Sequence, residues 1–336
     1  METPLRSNWN VILTNAIRTN QTKNRFHEPE KEIEMPGEIS PLQSPGVKES
    51  LTPIHLADYR GWMIQQYRGS GFASALNLFL ANGMTGKKAI KTRRGSQVYR
   101  FDHQEHTLFV KRYPMTGIKA YLQCFLGQNK AQRSWRIGRA MLAKGLSTPL
   151  PVFCIHRRIS FLKRDYLIGT LGIPKSISLK AFVQDQFKPG GLPLIQKRHF
   201  IEKLAKFMGQ LHLSGIYHGD LTARNILVEP MDTIQKARIY LIDLDSIRST
   251  RWISSRRRVK NLDELGRNFL DLGVVGVQDR ARFLNRYLKI FTKEKREYRS
   301  LLEAVRKRTT YRLKRHGQQF YRTDLQNVDR PLNHKG

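Results

Sequence analysis

The chain has 336 residues, with 60 Lys+Arg against 27 Asp+Glu and a formal net charge of +33. Its hydrophobic content of 40% excludes a wholly disordered or collagen-like polymer and is enough for a full core, as one large domain or two lobes. The only cysteines, Cys124 and Cys154, exclude a disulfide framework and fit a reducing compartment, while the charge calls for an anionic partner: nucleic acid, a membrane surface or an acidic substrate.

The charge is unevenly spread. Residues 1–58 carry 6 Lys/Arg and 8 Asp/Glu, whereas the other 278 carry 54 and 19. His27 to Pro53 mixes Pro, Glu and Ser with few aromatics and buries too little apolar surface to offset its ordering entropy. Residues 1–58 therefore read as a poorly ordered tail or linker, and 59–91 as a helical lead-in. The most apolar stretch, Gly71 to Met84, is shorter than the roughly 18 residues of a membrane span and holds two asparagines. The N-terminus lacks the pattern of a secretory signal, so the expectation is a cytoplasmic protein.

Residues 92–101 (TRRGSQVYRF) predict a strand, a glycine turn and a second strand. Thr107 to Tyr113 predicts another strand, rich in β-branched and aromatic residues. Ala131, Trp135, Gly138 and Leu142 recur at helical spacing and predict a helix over 128–144, stopped by Gly145 and kept from resuming by Pro149 and Pro151. Asp165 to Leu171 is a further strand. Phe200, Leu204, Phe207, Met208 and Leu211 form the apolar stripe of a helix over 194–214, ended by Gly215. Short strands follow at Ile226–Val228 and Arg238–Ile242. Beyond Leu262 the spacing is helical again, as at Phe283, Tyr287 and Ile290. Strands first and helices later predict an α+β, two-lobed fold: a β-rich N-lobe over 92–171, a mainly helical C-lobe over 172–322 and a tail over 323–336.

The chemistry-bearing segment is Tyr217 to Val228, YHGDLTARNILV, with His218, Asp220 and, five residues on, Asn225. A strand then runs into YLIDLD, with Asp243 and Asp245. Phosphoryl transfer uses such a set: one carboxylate accepts the hydroxyl proton, and an amide oxygen with a second carboxylate holds Mg²⁺ against the phosphates of ATP. The H-x-D-x-x-x-x-N loop followed by a strand ending in Asp is the protein-kinase-type arrangement, giving the fold its name here: protein-kinase-like. Lys111, in LFVKRY, stands where that arrangement places its phosphate-binding lysine. The turn Arg94-Gly95-Ser96 is either a phosphate cover, through Gly95 and Ser96, or a plain hairpin, having one glycine where the usual pattern has three. His218 is read as a support of the turn, and His199 and His212 as surface or boundary residues.

FVKRYP, KAQRSWRIGRAMLAKGLSTPLPV, HGDLTARNILV and LIDLD together resemble the lipopolysaccharide kinase family, the heptose and Kdo kinases of lipopolysaccharide assembly. RRRVKNLDELGRNF and DRARFLNRYL are similar to it as well, so the resemblance spans roughly 90–290. It implies ATP-dependent phosphorylation of an inner-core sugar hydroxyl at the cytoplasmic face of the inner membrane. It also implies that Asp220 is the base, that Asn225 and Asp243 are metal ligands and that Lys111 binds phosphate. Three departures stand out. Gly219 replaces the arginine of H-R-D, and Thr222 replaces the loop lysine of protein kinases. Between Glu105 and Asp165 there is no acid but 12 Lys/Arg, so the usual glutamate partner of Lys111 is missing. Gln132 or Ser134 is one substitute, an acid from elsewhere another, and an impaired enzyme the third possibility.

The competing functions are an atypical protein kinase and a basic pseudokinase or scaffold at the membrane. Arg248 to Arg322 holds 22 Lys/Arg and 7 Asp/Glu around Trp252 and Tyr311, a face suited to an anionic inner-membrane surface or to the anionic lipopolysaccharide core acceptor. No nucleic-acid-binding motif accompanies it, so no specific nucleic acid partner is expected.

Overall fold

The computed structural model describes residues 50–69, 71–82, 84, 89–93, 95–118, 129–160, 162–269, 272–291, 300, 303–305, 307–308 and 311. These fall into two compact units. One comprises residues within 50–179 together with Arg224–Ser249; the other comprises Lys180–Ala223 and residues from Thr250 onward.

The first unit is built on a seven-stranded sheet. Its strands are β1 (Leu51–Leu56), β2 (Tyr59–Ile64), β3 (Lys91–Arg93), β4 (Ser96–His103), β5 (His106–Thr116), β6 (Pro151–Ser160) and β7 (Lys163–Leu171). They lie in the order β1-β2-β6-β7-β5-β4-β3, with every neighbouring pair antiparallel. Strand alternation divides the side chains of β5: Leu108 and Val110, both fully buried, point to one face, and Lys111 and Tyr113 to the other. The first face is covered by helix α1 (Phe72–Ala81), whose buried Phe72, Leu76 and Leu80 recur every four residues. Phe72 meets Phe101 edge-on at 5.7 Å. The second face receives helix α2 (Lys130–Ala143). Gly138 makes that approach possible: a Cβ there would lie 2.7 Å from Pro151 Cγ and 3.1 Å from Leu244 Cδ1. At the β6–β7 end of the sheet, buried Asp165 binds Arg112 at 2.7 Å and Arg157 at 3.3 Å.

A three-stranded sheet completes this unit. β8 (Ile177–Ser178) pairs with β10 (Ile226–Glu229), which forms a hairpin with β11 (Arg238–Leu241). The hairpin is tied to the segment after α2, because Leu241 N donates to Ser147 O at 3.0 Å and Thr148 Oγ1 donates to Leu241 O at 2.8 Å.

The helical unit contains α3 (Leu179–Gln186), α4 (Leu194–Leu213), the short strand β9 (Ile216–His218), α5 (Ser255–Arg267) and α6 (Val277–Phe291). Phe200 of α4 packs at a tilt against Phe182, with ring centroids 4.5 Å apart. Gly209 admits Ile290 of α6, whose Cδ1 would lie 2.4 Å from a Cβ at that position. A cavity of about 120 Å³ runs between Phe187, Phe200, Leu204, Leu262 and Phe283 in this unit. Among the described residues, no helix is long and apolar enough to cross a membrane.

The predicted strands and helices from Thr92 to Ile242 are all present, within two or three residues at their ends. Three differences concern boundaries. Leu51–Leu56 is the first strand of the sheet, so residues 51–58 are not tail; residues 1–49 lie outside the described set. Within the segment read as a helical lead-in, Tyr59–Ile64 is the second strand, paired with β6. Finally, Arg224–Ser249 groups with the sheet rather than with the helices, because its hairpin bonds to β8 and to the end of α2. The predicted tail over 323–336 lies outside the described residues.

Candidate functional site

Lys111 sits in β5 between β4 and β7, opposite Val98 and Ile168. Its ammonium donates to Asp243 Oδ1 at 2.6 Å and to Asp245 Oδ2 at 3.1 Å. Tyr113, two residues along the same strand face, donates its hydroxyl to Asp245 Oδ2 at 3.3 Å, and Lys111 Nζ lies 5.4 Å from its ring centroid. The missing glutamate is thus replaced by two aspartates brought in from the end of β11. Neither neutral candidate serves. Gln132 is occupied at the start of α2, where its amide N–H donates to Asn129 Oδ1 at 2.8 Å and its side-chain oxygen accepts from Asn129 Nδ2 at 2.6 Å. Ser134 is buried with its hydroxyl unbonded.

The aspartates are placed by a short 3₁₀ turn, Leu244–Ser246, that follows β11. Asp243 enters it in the left-handed conformation, with φ of +64°. Asp and Asn tolerate that region better than other side chains. Ser246 Oγ donates to Asp243 O at 3.2 Å, and Arg133 of α2 donates to Asp245 O. Leu244, between the two acids, is the residue that faces Gly138. Helix and carboxylates therefore form one packed group.

Burial opposes the charge on Lys111, but Tyr113, Asp245 and Asp243 outweigh it and hold the ammonium pKa above its ordinary value. Asp245 is pushed the other way from a simple ion pair. Burial raises its pKa, Lys111 pulls it down and neighbouring Asp243 raises it again. One ammonium shared by two carboxylates in partly buried surroundings accounts for both directions. Asn225 is buried in the same unit, and its backbone carbonyl accepts from Ile242 N at 2.9 Å, next to Asp243. Among the described residues, no three His, Cys, Asp or Glu side chains converge on a metal position. An amide oxygen and a carboxylate are nonetheless hard ligands of the kind Mg²⁺ takes together with phosphate oxygens.

Gly95 lies in the turn between β3 and β4, and Ser96 opens β4, paired with Arg93. Gly95 has φ of +80°, which explains the glycine, and a Cβ there would meet nothing within 4 Å. Open space of this kind is what a hairpin tip requires; no close approach demands the glycine.

In the helical unit, the loop after β9 carries His218 and exposed Asp220. His218 Nδ1 accepts the Asp220 backbone N–H at 3.2 Å, so the histidine supports the turn as expected. Asn261 of α5 grips the same residue from the other side. Its Oδ1 accepts from His218 N at 3.2 Å, and its Nδ2 donates to His218 O at 2.6 Å. Lys260 Nζ donates to Tyr217 Oη at 2.7 Å and to Gly219 O at 3.2 Å. His212 is not a surface or boundary residue: it is 2% exposed, with Nδ1 2.6 Å from Tyr287 Oη and Nε2 3.3 Å from Asn261 Oδ1. The sequence signal was its four-residue spacing from Leu204 and Met208 on the buried stripe. Asn261 lay unnoticed between the apolar residues Val259 and Leu262. His199 is exposed, as read.

The sheet unit thus holds a lysine in a central strand, clamped by an aspartate at the end of a later strand, and the helical unit an H-x-D loop fixed from a following helix. Residues 87–287 match the family model described as "Lipopolysaccharide kinase (Kdo/WaaP) family". The chain belongs to the lipopolysaccharide kinase (Kdo/WaaP) family. It is 26% identical over 161 residues to the lipopolysaccharide core heptose(I) kinase WaaP of Pseudomonas aeruginosa strain PAO1, covering 47% of this chain and 59% of that protein. The match thus spans less than two thirds of that relative. The fold is similar to that of a solved structure, "WaaP in complex with acyl carrier protein", with a TM-score of 0.55 and 22% identity over 70% of this chain and 92% of that one. That likeness establishes the protein-kinase-like fold of this family member.

Proposed function

We propose that the chain transfers a phosphoryl group from Mg-ATP to a sugar hydroxyl, heptose or Kdo, of the lipopolysaccharide inner core. The observation that carries this reading is the Lys111–Asp243–Asp245 cluster in a member of the lipopolysaccharide kinase family. Lys111 is kept charged and directed by carboxylates, which suits it to hold the phosphates of the nucleotide. Asn225 and Asp243 supply the oxygen donors for Mg²⁺, which when bound neutralises phosphate charge. Asp220, at the end of the loop fixed by His218 and Asn261, accepts the proton of the acceptor hydroxyl. Gly95 and Ser96 cover the phosphates from the β3–β4 turn. The pseudokinase reading loses its main support, because Lys111 has acidic partners after all.

A protein partner is a second part of the proposal. WaaP has been solved with acyl carrier protein. We extend that partner to this chain because its helical unit holds an apolar cavity walled by Phe187, Phe200, Leu204 and Phe283, matching the chemistry of an acyl chain. The place of work is the cytoplasmic side of the inner membrane, where the protein sits peripherally on an anionic surface.

The test is transfer of labelled phosphate from Mg-ATP to deacylated heptose-containing core, to deacylated Kdo-containing core and to a generic protein substrate. Labelling of one sugar acceptor and no protein is expected. Labelling of protein alone would replace the sugar-kinase reading with the protein-kinase one.

A further inference from the structure

In the helical unit, α5 runs up to the loop that carries Asp220. Lys260 Nζ donates to Gly219 O at 3.2 Å, beside Asp220, and to Tyr217 Oη at 2.7 Å, and it pairs with Glu264 Oε1 at 3.2 Å. With three hydrogens and three partners, Lys260 marks where the helix meets the loop and has no donor left for a ligand. Arg256 stands one turn nearer the start of α5, at the four-residue spacing that puts two side chains on one face about 5–6 Å apart. Its neighbours are engaged: Arg257 lies over the Tyr217 ring, and Arg258 donates to Ser255 Oγ and lies over Phe291. Arg256 differs from both, being exposed and without a hydrogen bond, ion pair or ring contact among the described residues. It also sits in the first turn of α5, where no acid accompanies it and a cation opposes the helix dipole.

Trp252, four residues before Arg256, is 72% exposed. Its backbone is held in place. Thr250 N donates to Gly215 O at 2.9 Å, and Thr250 Oγ1 donates to Trp252 O at 2.9 Å. Gly215 makes that approach possible, with φ of +78° and no room for a Cβ against Thr250 O. Ile253, the next residue, is buried. The chain is thus pinned on both sides of an indole that projects into water. Arg251, on its other side, is exposed and likewise unpartnered among the described residues. A lone exposed aromatic is ordinary; this one ends a row that begins at the proposed base.

We propose that Trp252, Arg256 and Arg251 form an acceptor subsite for an anionic oligosaccharide. The indole stacks on the C–H face of one sugar ring, the guanidinium groups hold a carboxylate or phosphate on the saccharide, and another ring presents its hydroxyl to Asp220. A planar fork of donors suits either anion. Asp220 and Trp252 lie toward opposite ends of this stretch, because Lys260 meets the loop, Trp252 precedes the helix, and α5 rises about 7.5 Å from Ser255 to Lys260. A ligand that touches both is therefore an oligosaccharide and not a single ring. One indole, where single-stranded nucleic acid uses several aromatic platforms in series, favours the saccharide. Leu213, 57% exposed and two residues before Gly215, makes a lipid bilayer the competing occupant. The subsite presupposes the proposed sugar-kinase reading and adds that the acceptor is recognised by charge outside the ring that is phosphorylated.

The experiment is steady-state transfer from Mg-ATP, by the full chain, to deacylated inner-core oligosaccharide in intact, dephosphorylated and carboxyl-reduced forms, with calorimetric titration of the intact form alongside. The stripped form that wild type uses poorly identifies the anion. Arg256→Gln should raise KM for the intact oligosaccharide about tenfold or more, the scale of a charge-assisted contact, with kcat and the nucleotide KM retained, and should lose the preference for that anion. Arg256→Lys should recover part of it, keeping the charge without the fork. Trp252→Ala should raise the same KM by a few-fold to about tenfold. Neither Arg256→Gln nor Trp252→Ala should lower the melting temperature, since one side chain opposes the helix dipole and the other is exposed. Wild-type KM values in both variants would overturn the subsite and leave the kinase reading intact, as would a wild type indifferent to both anions. Unchanged KM with lost sedimentation on phosphatidylglycerol vesicles would overturn it in favour of a bilayer. Oligosaccharide binding that depends on Trp252 and Arg256, in a chain that phosphorylates no sugar, would sustain the subsite and sink the kinase reading; absence of both binding and transfer would overturn both.

Discussion

The sheet unit and the helical unit hold their chemistry-bearing residues by different forces. In the sheet unit, Lys111 is fixed by full charges, with Asp243 at 2.6 Å and Asp245 at 3.1 Å. In the helical unit, the backbone of His218 is fixed by the amide of Asn261, which in turn meets His212 next to Tyr287. The first arrangement gains strength from charge but depends on both partners staying ionised. The second gives up that strength for insensitivity to salt, and it requires His212 to remain neutral. Under the proposed function, Lys111 would have to exchange partners on meeting phosphate, whereas the loop presenting Asp220 would have to stay where it is. The two anchoring styles suit those two tasks.

The most severe way to break the comparison is at its functional end. Asp220→Asn should lower phosphate transfer by about 10²–10⁴ while nucleotide titration remains near normal. Near-normal turnover would remove Asp220 from the proposed role and leave the helical unit without a base. Next comes the ionic anchor. Asp243→Ala should weaken Mg-nucleotide binding by roughly tenfold to a hundredfold, the scale of losing a charge-assisted contact, and Asp245→Ala should do less, since its pKa is raised and its carboxylate pairs less fully. Calorimetric titration of both variants checks the order; a larger effect at Asp245 would exchange the two roles. Lys111→Arg should not restore what Lys111→Ala loses, because a planar fork does not fit a position where a compact ammonium is shared by two carboxylates.

The neutral anchor predicts a pH dependence. Burial lowers the His212 pKa to about 4, from 6.5. Between those values the unfolded chain binds a proton that the folded one does not, so stability rises with pH through this window. It is lost as pH falls from about 6.5 toward 4, by up to ~3 kcal/mol. Chemical denaturation at several pH values should show this slope in wild type and a flatter one in His212→Gln. Equal slopes would mean that other groups govern acid stability. The smallest expected effect lies where helix meets ion pair. Gly138→Ala should cost about 1–3 kcal/mol by overpacking against Pro151 and Leu244, and it should weaken nucleotide binding as well, since Leu244 lies between the two aspartates. Unfolding curves and nucleotide titration report the two effects separately.

Legibility in the sequence followed the range of the interactions. β5, α2, α4 and the β10–β11 hairpin were visible because their patterns are local: β-branched runs, a four-residue apolar stripe, a glycine stop. The first hairpin was hidden because Pro53, His55, Arg60 and Gly61 interrupt any alternation, and its strand identity comes from pairing with β6 about 90 residues later. β6 itself was hidden behind the prolines at its start. The candidate site residues Lys111, Asp220, Asn225 and Asp243 are legible from their motifs, yet the partners of Lys111 are not, because an ion pair across 132 residues leaves no local trace. The burial of His212 left a trace, at helical spacing, but a polar side chain on an apolar stripe reads ambiguously until its partners are known.

The paired aspartates at Lys111 also bear on which form of nucleotide the proposed enzyme accepts. A polyphosphate that draws the ammonium toward itself strips Asp243 and Asp245 of their shared counter-ion and sets two carboxylates beside further negative charge. A polyphosphate arriving with its own divalent cation avoids that conflict; one arriving bare meets it in full. The free nucleotide and its metal complex would therefore not compete on equal terms, and the acids that replace the usual single glutamate would act as a filter on net charge before any chemistry begins.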